Sequence, residues 1–191
     1  MKTLTMIFAT FAASFAMAGE TLVSTGEAFD KEGKEKMFTY ERFRTVEGDK
    51  VTDRAVYKDT DGKVLTEETM VTQGGKLVRY DMDQKQLKTK AWIEMGDDKV
   101  TYNLKKFRKN NYPQTDKIRE NFIVGLQITD LIRENWDKIA KGEEVKFDLG
   151  VSHRQESIGF KFSKESMDDK TFVVKMNPSS MFIRAVVDPL Y

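Results

Sequence analysis

Residues 121–159 read NFIVGLQITDLIRENWDKIAKGEEVKFDLGVSHRQESIG, and the change of period inside this stretch decides the fold. Asp130, after Thr129, is placed to accept from the free N–H groups of a first helical turn. Leu131, Ile132, Asn135, Trp136 and Ile139 then fall at i, i+1, i+4, i+5 and i+8, one stripe of a helix over 130–141. Gly142 ends it, and Lys138 and Lys141 sit in the last turn, where positive charge complements the helix dipole. Beyond Glu143 the period becomes two. Val145, Phe147, Leu149 and Val151 alternate with Lys146, Asp148 and Gly150, and Ile158, Phe160 and Phe162 alternate with Gly159, Lys161 and Ser163. The pattern predicts one amphipathic helix lying on a sheet, with Trp136 on its buried stripe and Asp137 exposed.

Upstream, from 20 to 107, turn signals recur about every ten residues. Glu47-Gly48-Asp49, Asp59-Thr60-Asp61-Gly62, Gly74-Gly75 and Gly96-Asp97-Asp98 bound predicted strands at 36–45, 51–58, 64–71, 76–82, 87–95 and 99–107. Connections this short leave no room for crossover helices, so the strands must pair antiparallel as a meander. Val100, Tyr102 and Leu104 share one face, as do Ala91, Ile93 and Met95, while lysines and other polar residues hold the opposite face. One face is dry and needs a cover. The candidates are the helix over 130–141 and a shorter one beginning near Ser179. The expected fold is therefore α+β: a curved antiparallel meander, half-barrel-like, with one main helix and a C-terminal helical segment on its concave face. The space beneath is either a cavity lined by Phe and Met or a core filled by its own side chains.

Residues 1–18 read as a leader outside that fold. Lys2 precedes an apolar run from Leu4 to Met17, and Ala16-Met17-Ala18 before Gly19 has the small-x-small form of a signal-peptidase site. The run falls short of the ~20 residues that a membrane span needs. No Arg-Arg pair and no cysteine accompanies it, so neither a twin-arginine route nor a lipid anchor is expected. Export to a periplasm as one β-rich domain, 19–191, is the expectation. Removing Lys2 with the leader leaves 31 basic residues against 31 acidic ones, which argues against a nucleic-acid partner. The chain has no cysteine, hence no disulfide framework, thiolate metal site or thiol nucleophile.

Catalytic and metal motifs fail in turn. Asp59, Asp61, Gly62 and Glu68 match four places of a calcium loop, but Tyr57 holds the first place and the flanks read as strands, so this is a hairpin turn. His153 is the lone histidine, so a multi-histidine metal site is impossible and a serine triad, the basis of a third, hydrolase reading, would have to use it; in Ser152-His153-Arg154, between two strands, a turn residue is the ordinary explanation. There is no Gly-x-Ser-x-Gly elbow. Glu67 and Glu68 are adjacent in a strand and point to opposite faces, which prevents joint action on one substrate. Neither an enzyme nor a bound cofactor or metal is expected. Residues 108–117 form the least patterned segment and read as a loop, beside which Lys105, Lys106, Arg108 and Lys109 make a basic patch suited to solvent or to an anionic surface.

Asn135-Trp136-Asp137-Lys138-Ile139-Ala140-Lys141-Gly142-Glu143, then Val145-Lys146-Phe147 and Arg154-Gln155-Glu156-Ser157-Ile158-Gly159-Phe160, resemble a family of uncharacterised periplasmic proteins of Gram-negative bacteria. Tyr57-Lys58-Asp59-Thr60-Asp61-Gly62-Lys63 and Val187-Asp188-Pro189-Leu190 are similar too. These motifs are turns, caps and core positions, and the resemblance implies a compartment but no activity. At the level of architecture alone the chain is similar to half-barrel carriers of the lipoprotein-localisation type, which shelter acyl chains between a curved sheet and helices. The expected function is non-enzymatic binding of an apolar or amphipathic, lipid-like envelope ligand, lined by Met95, Tyr102, Trp136, Phe147, Phe160 and Phe162. The alternative is a structural or interaction protein of the envelope with a filled core.

Overall fold

Gly74 and Gly75, at φ 56° and 76°, make a two-residue turn that L side chains would enter only under strain. That turn joins β5 (Val64–Gln73) to β6 (Lys76–Gln84), and it is one of a series. The computed structural model describes residues 6–9, 19–30, 32–168 and 172–179. In it β1 (Met6–Ala9), β2 (Thr21–Phe29), β3 (Lys36–Glu47), β4 (Lys50–Lys58), β5, β6, β7 (Thr89–Met95) and β8 (Lys99–Lys106) each pair antiparallel with the next. The meander is an open curved sheet, as the alternation predicted. The expected turn at 59–62 is present, closed by the Asp59 carboxylate accepting from the N–H groups of Asp61 (3.1 Å) and Lys63 (2.9 Å). Of the predicted leader, read as lying outside the fold, only Met6–Ala9 is among the described residues, and there it pairs with β2 at the edge of the sheet; the predicted helical segment beyond Ser179 lies outside the described residues.

The segment read as a loop at 108–117 instead supplies two strands. β9 (Lys109–Asn110) and β10 (Gln114–Lys117) both pair with the free edge of β8. The polar residues of β10 hid it, because an edge strand needs no apolar face. The chain then passes through β11 (Phe122–Ile123) into a 3-10 turn (Gly125–Gln127), where Gln127 Oε1 accepts from the Val124 N–H at 3.0 Å. β12 (Val145–Val151), β13 (Glu156–Met167) and β14 (Phe172–Pro178) form a second, four-stranded sheet, with β11 parallel to β12.

The predicted single helix over 130–141 is two short ones, α1 (Ile128–Glu134) and α2 (Trp136–Ala140). Asn135 breaks it at φ −108°, ψ 18°, its side-chain amide donating to Leu131 O at 3.0 Å in competition with the backbone ladder. Asp130 is not the cap: α1 starts two residues earlier, and Asp130 pairs with Arg42 instead. The break also resets the helical phase. Ile139 is fully buried, whereas Trp136, expected in the core, is 43% exposed and rests on Phe172 with ring centroids 4.3 Å apart. Asp137 is exposed as expected.

Two cores result. Met70, Tyr80, Met82, Ala91, Ile93, Val100, Tyr102 and Leu104 on the inner face of the meander are covered by Val124 and Leu126 of the 3-10 turn. Phe147, Leu149, Ile158, Phe160 and Phe162 form the other core with Ile123 and Ile139, so the helices pack mainly on the second sheet. The sheets meet where Gly150 backs onto Phe122 and Ile93, at whose atoms an added Cβ would stand 2.7 and 3.0 Å away. The Tyr102 hydroxyl meets Ser157 Oγ at 2.6 Å on the same seam. Ile139→Ala should cost about 2–5 kcal/mol of stability, as truncation in a packed core does. Trp136→Ala, which removes one half-exposed aromatic pair, should cost about 1 kcal/mol; denaturant midpoints of the two variants beside the parent measure the contrast.

Candidate functional site

Strand parity carries charged side chains inward at one end of the meander. Tyr40, Arg42 and Arg44 of β3 face Tyr57, Ala55 and Asp53 of β4, and across β4 the same face continues to Glu68 and Met70 of β5. Arg42 and Asp53 are 4% and 1% exposed. A guanidinium at that depth must be matched by acceptors. Arg42 donates from Nε to Asp53 Oδ1 at 3.2 Å and from Nη2 to Asp130 Oδ2 at 2.7 Å. Arg44 binds Asp53 with two parallel bonds, at 2.8 and 3.0 Å, and Arg133 reaches the other oxygen of Asp130 at 3.2 Å. The network therefore runs from the floor of the sheet to the exposed flank of α1.

Beside it lies an open cleft of about 380 Å³ between β4, β5 and α1. Val51, Met70, Ile123 and Leu131 give it an apolar part, and Arg44, Asp53, Asp130, Arg133 and Glu134 a charged one. Among the last group Arg44 is 37% and Arg133 67% exposed at the side chain, so both can still donate to a ligand. Deeper on the same face sits an uncharged-to-charged pivot. Glu68 accepts from the Tyr57 hydroxyl at 3.1 Å and is also hydrogen-bonded to Tyr80. Gly125 of the 3-10 turn closes over them, its hypothetical Cβ 3.3 Å from the Tyr80 hydroxyl and 3.6 Å from Glu68 Oε2. Burial pushes Glu68 up to about 6, against the pull of the two tyrosines, and burial together with the Glu68 charge raises both phenols.

The residues expected to line a ligand cavity are placed elsewhere. Phe147, Phe160 and Phe162 stack on one another in the second core, with Phe147 to Phe162 centroids at 4.4 Å. Tyr102 is fully buried in the first core, its phenol pushed up to about 12 chiefly by burial, and Met95 packs beside that core half-buried. Trp136 lies outside both. The structure thus brings three of the six together, and none of the six borders the cleft. Lys105, Lys106 and Arg108 are exposed, and Lys109 lies in β9. His153 is exposed in the turn at 152–155. Glu67 points outward to Lys85 while Glu68 points inward, the opposed orientation their adjacency required.

Arg42, Arg44, Asp53 and Tyr80 escaped the sequence reading, which took Asp130 for a helix cap and weighed Tyr57 and Glu68 against a calcium loop, yet parity held the signal. Asp53 has the phase of Ala55, and Glu68 that of Met70. No group of three or more His, Cys, Asp or Glu residues placed to hold a metal occurs among the described residues, and no helix there is long and apolar enough to cross a membrane. No family model, no curated protein and no solved structure matches this chain.

Glu68 gives the site a pH signature. Its folded value of about 6 lies above the ordinary 4.5, so the folded state binds this proton more tightly than the unfolded chain does. The stabilisation is full below the lower value and is lost as pH rises through the upper one. Glu68→Gln, which keeps an acceptor for the tyrosines but cannot ionise, should gain up to about 2 kcal/mol at neutral pH and flatten the dependence across that window. Denaturation midpoints of parent and variant against pH check it.

Proposed function

We propose that the protein is an exported, non-enzymatic binding protein of the periplasm that takes a lipid-like amphipathic ligand in the cleft between its curved, half-barrel-like sheet and α1. The single observation that carries this reading is the composition of that cleft, in which Val51, Met70, Ile123 and Leu131 adjoin Arg44 and Arg133. A short apolar segment can lie on the former at ~0.8 kcal/mol per buried CH₂, while a carboxylate or phosphate head takes the two guanidinium groups. Arg42 does not serve, because it is 4% exposed and its donors are spent on Asp53 and Asp130, whereas Arg44 and Arg133 keep exposed donors beside their own acidic partners. The ligand lies outside the aromatic cluster of Phe147, Phe160 and Phe162 because those rings fill their own space. The leader expected at 1–18 from its apolar run and Ala16-Met17-Ala18 supports the compartment, as does the resemblance carried by residues 135–143.

A second reading, an interaction protein of the envelope, draws on those filled cores, since a folded domain with no spare interior has only its surface to offer. Titration with a fluorescent medium-chain fatty acid separates the two. The parent should bind saturably at one site. Arg44→Ala with Arg133→Ala should weaken binding at least tenfold, at ~1.5–3 kcal/mol for each charge-assisted bond, and Leu131→Lys should abolish it. No saturable binding by the parent overturns the carrier and leaves the interaction protein.

A further inference from the structure

We propose that the hairpin end formed by the turns at 85–88 and 107–108 is a docking site for an anionic lipid surface. This inference is independent of the cleft. The two turns are neighbours because β7 and β8 pair with Lys90 opposite Lys105. At their tips Leu87 is 65% and Phe107 55% exposed, two large apolar side chains projecting from an end where nothing covers them among the described residues. Cations surround them. Lys88 Nζ lies 4.8 Å and Arg108 Cζ 4.9 Å from the Phe107 ring centroid, and Lys105 and Lys106 are exposed on the adjoining strand.

Positive charge is in excess here. Asp83 and Glu67 on the neighbouring strands are paired with Lys85 and Lys90 and share an outer-face groove with Lys105, and no described carboxylate forms an ion pair with Lys88, Lys105, Lys106 or Arg108. The chain as a whole is close to neutral, so this end is a local concentration of positive charge and not a share of a general excess. Lys88 and Arg108 also occupy left-handed backbone, at φ 48° and 63°, where glycine or asparagine would be the unstrained choice for a turn. An anionic bilayer suits this end: its headgroups take the cations, and Leu87 and Phe107 enter the boundary between headgroups and acyl chains. A single exposed ring and leucyl side chain are too small for a stable protein interface but suit shallow insertion aided by charge.

The backbone supplies a variant that will not fail for want of folding. Lys88→Gly with Arg108→Gly relieves both left-handed positions and should leave the denaturation midpoint unchanged or raised. The proposal is tested by co-sedimentation with vesicles of phosphatidylcholine alone and of phosphatidylcholine mixed with phosphatidylglycerol. The parent should bind the mixed vesicles only, with affinity falling as salt rises, and the double glycine variant should lose roughly 25-fold, about fivefold per cation removed. Phe107→Trp should show a blue-shifted emission on mixed vesicles beyond the change of the parent's own tryptophans. Equal binding to both vesicle types, absence of binding, or unaltered binding by the folded glycine variant would each overturn the proposal. Capture of a soluble polyanion with no affinity for the mixed vesicles would also overturn it, in favour of a different partner class.

Discussion

Arg42 is the point at which the sheet and the helices are held to one another. It rises from the inner face of β3, is almost wholly shielded from water, and is matched below by Asp53 and above by Asp130 of α1. α1 and α2, of seven and five residues, are too short to hold their own shape in water and must be fixed by tertiary contacts. Apolar packing of Leu131, Ile132 and Ile139 secures them to the second sheet. The Arg42 to Asp130 pair ties the same segment to the meander, 88 residues away in the chain. A buried ion pair adds little net stability over an apolar replacement of similar shape, because desolvation consumes most of the attraction. Its effect is selective. Asp130 in any other orientation leaves a guanidinium buried with one acceptor too few, and that penalty picks one placement of α1 out of those that packing alone would tolerate.

The same constraint explains why the cleft is half polar. If the inner face of β3 to β5 were apolar throughout, α1 could settle on it and close the space. Arg44 and Asp130 instead retain contact with water above the buried Asp53, and Val51 and Leu131 beside them stay partly uncovered. Glu68 adds to this at greater depth: burial makes its charge costly, and two tyrosines offset only part of that cost. The sheet thus spends stability on a polar stripe exactly where the two layers approach, a pattern expected where a surface has a use beyond packing.

Most of the meander was legible because turns and alternation act locally. The breaks at Gly48, Gly62 and Gly74-Gly75 fall where strands end, and Val145–Val151 begins and ends as its period implied. The failures have two physical sources. Polar residues on an inner face look like solvent-facing ones until register fixes their direction, so Arg42 and Asp53 were passed over and Glu68 was weighed only as a calcium-loop or paired carboxylate, although each shares the phase of buried neighbours. Short elements held by tertiary contacts carry little periodic signal: β10 and β11 are too brief to show any, and the helical stripe through Asn135 was continuous in sequence but broken in space. Asp130 joins both failings, since an acidic residue near a helix start serves equally well as a cap or as an ion-pair partner, and only a distant arginine decides which.

The geometry of the meander also separates the two proposed surfaces. Successive hairpin turns alternate between the ends of the strands, so the connections at 48–49 and 74–75 lie at one end and those at 59–63, 85–88 and 107–108 at the other. The cleft borders Val51 and Thr72, close to the first set, whereas Leu87 and Phe107 belong to the second. Strands of nine or ten residues at ~3.3 Å per residue put roughly 30 Å between the two. A molecule held on a bilayer by its hairpin end would therefore turn the cleft away from the lipid. Direct extraction of a ligand from the same membrane is disfavoured by that arrangement. Receipt from, or delivery to, something on the aqueous side is compatible with it, and so is a tether whose cleft is occupied independently. The separation along the strands makes these alternatives depend on how the sheet is oriented against the bilayer.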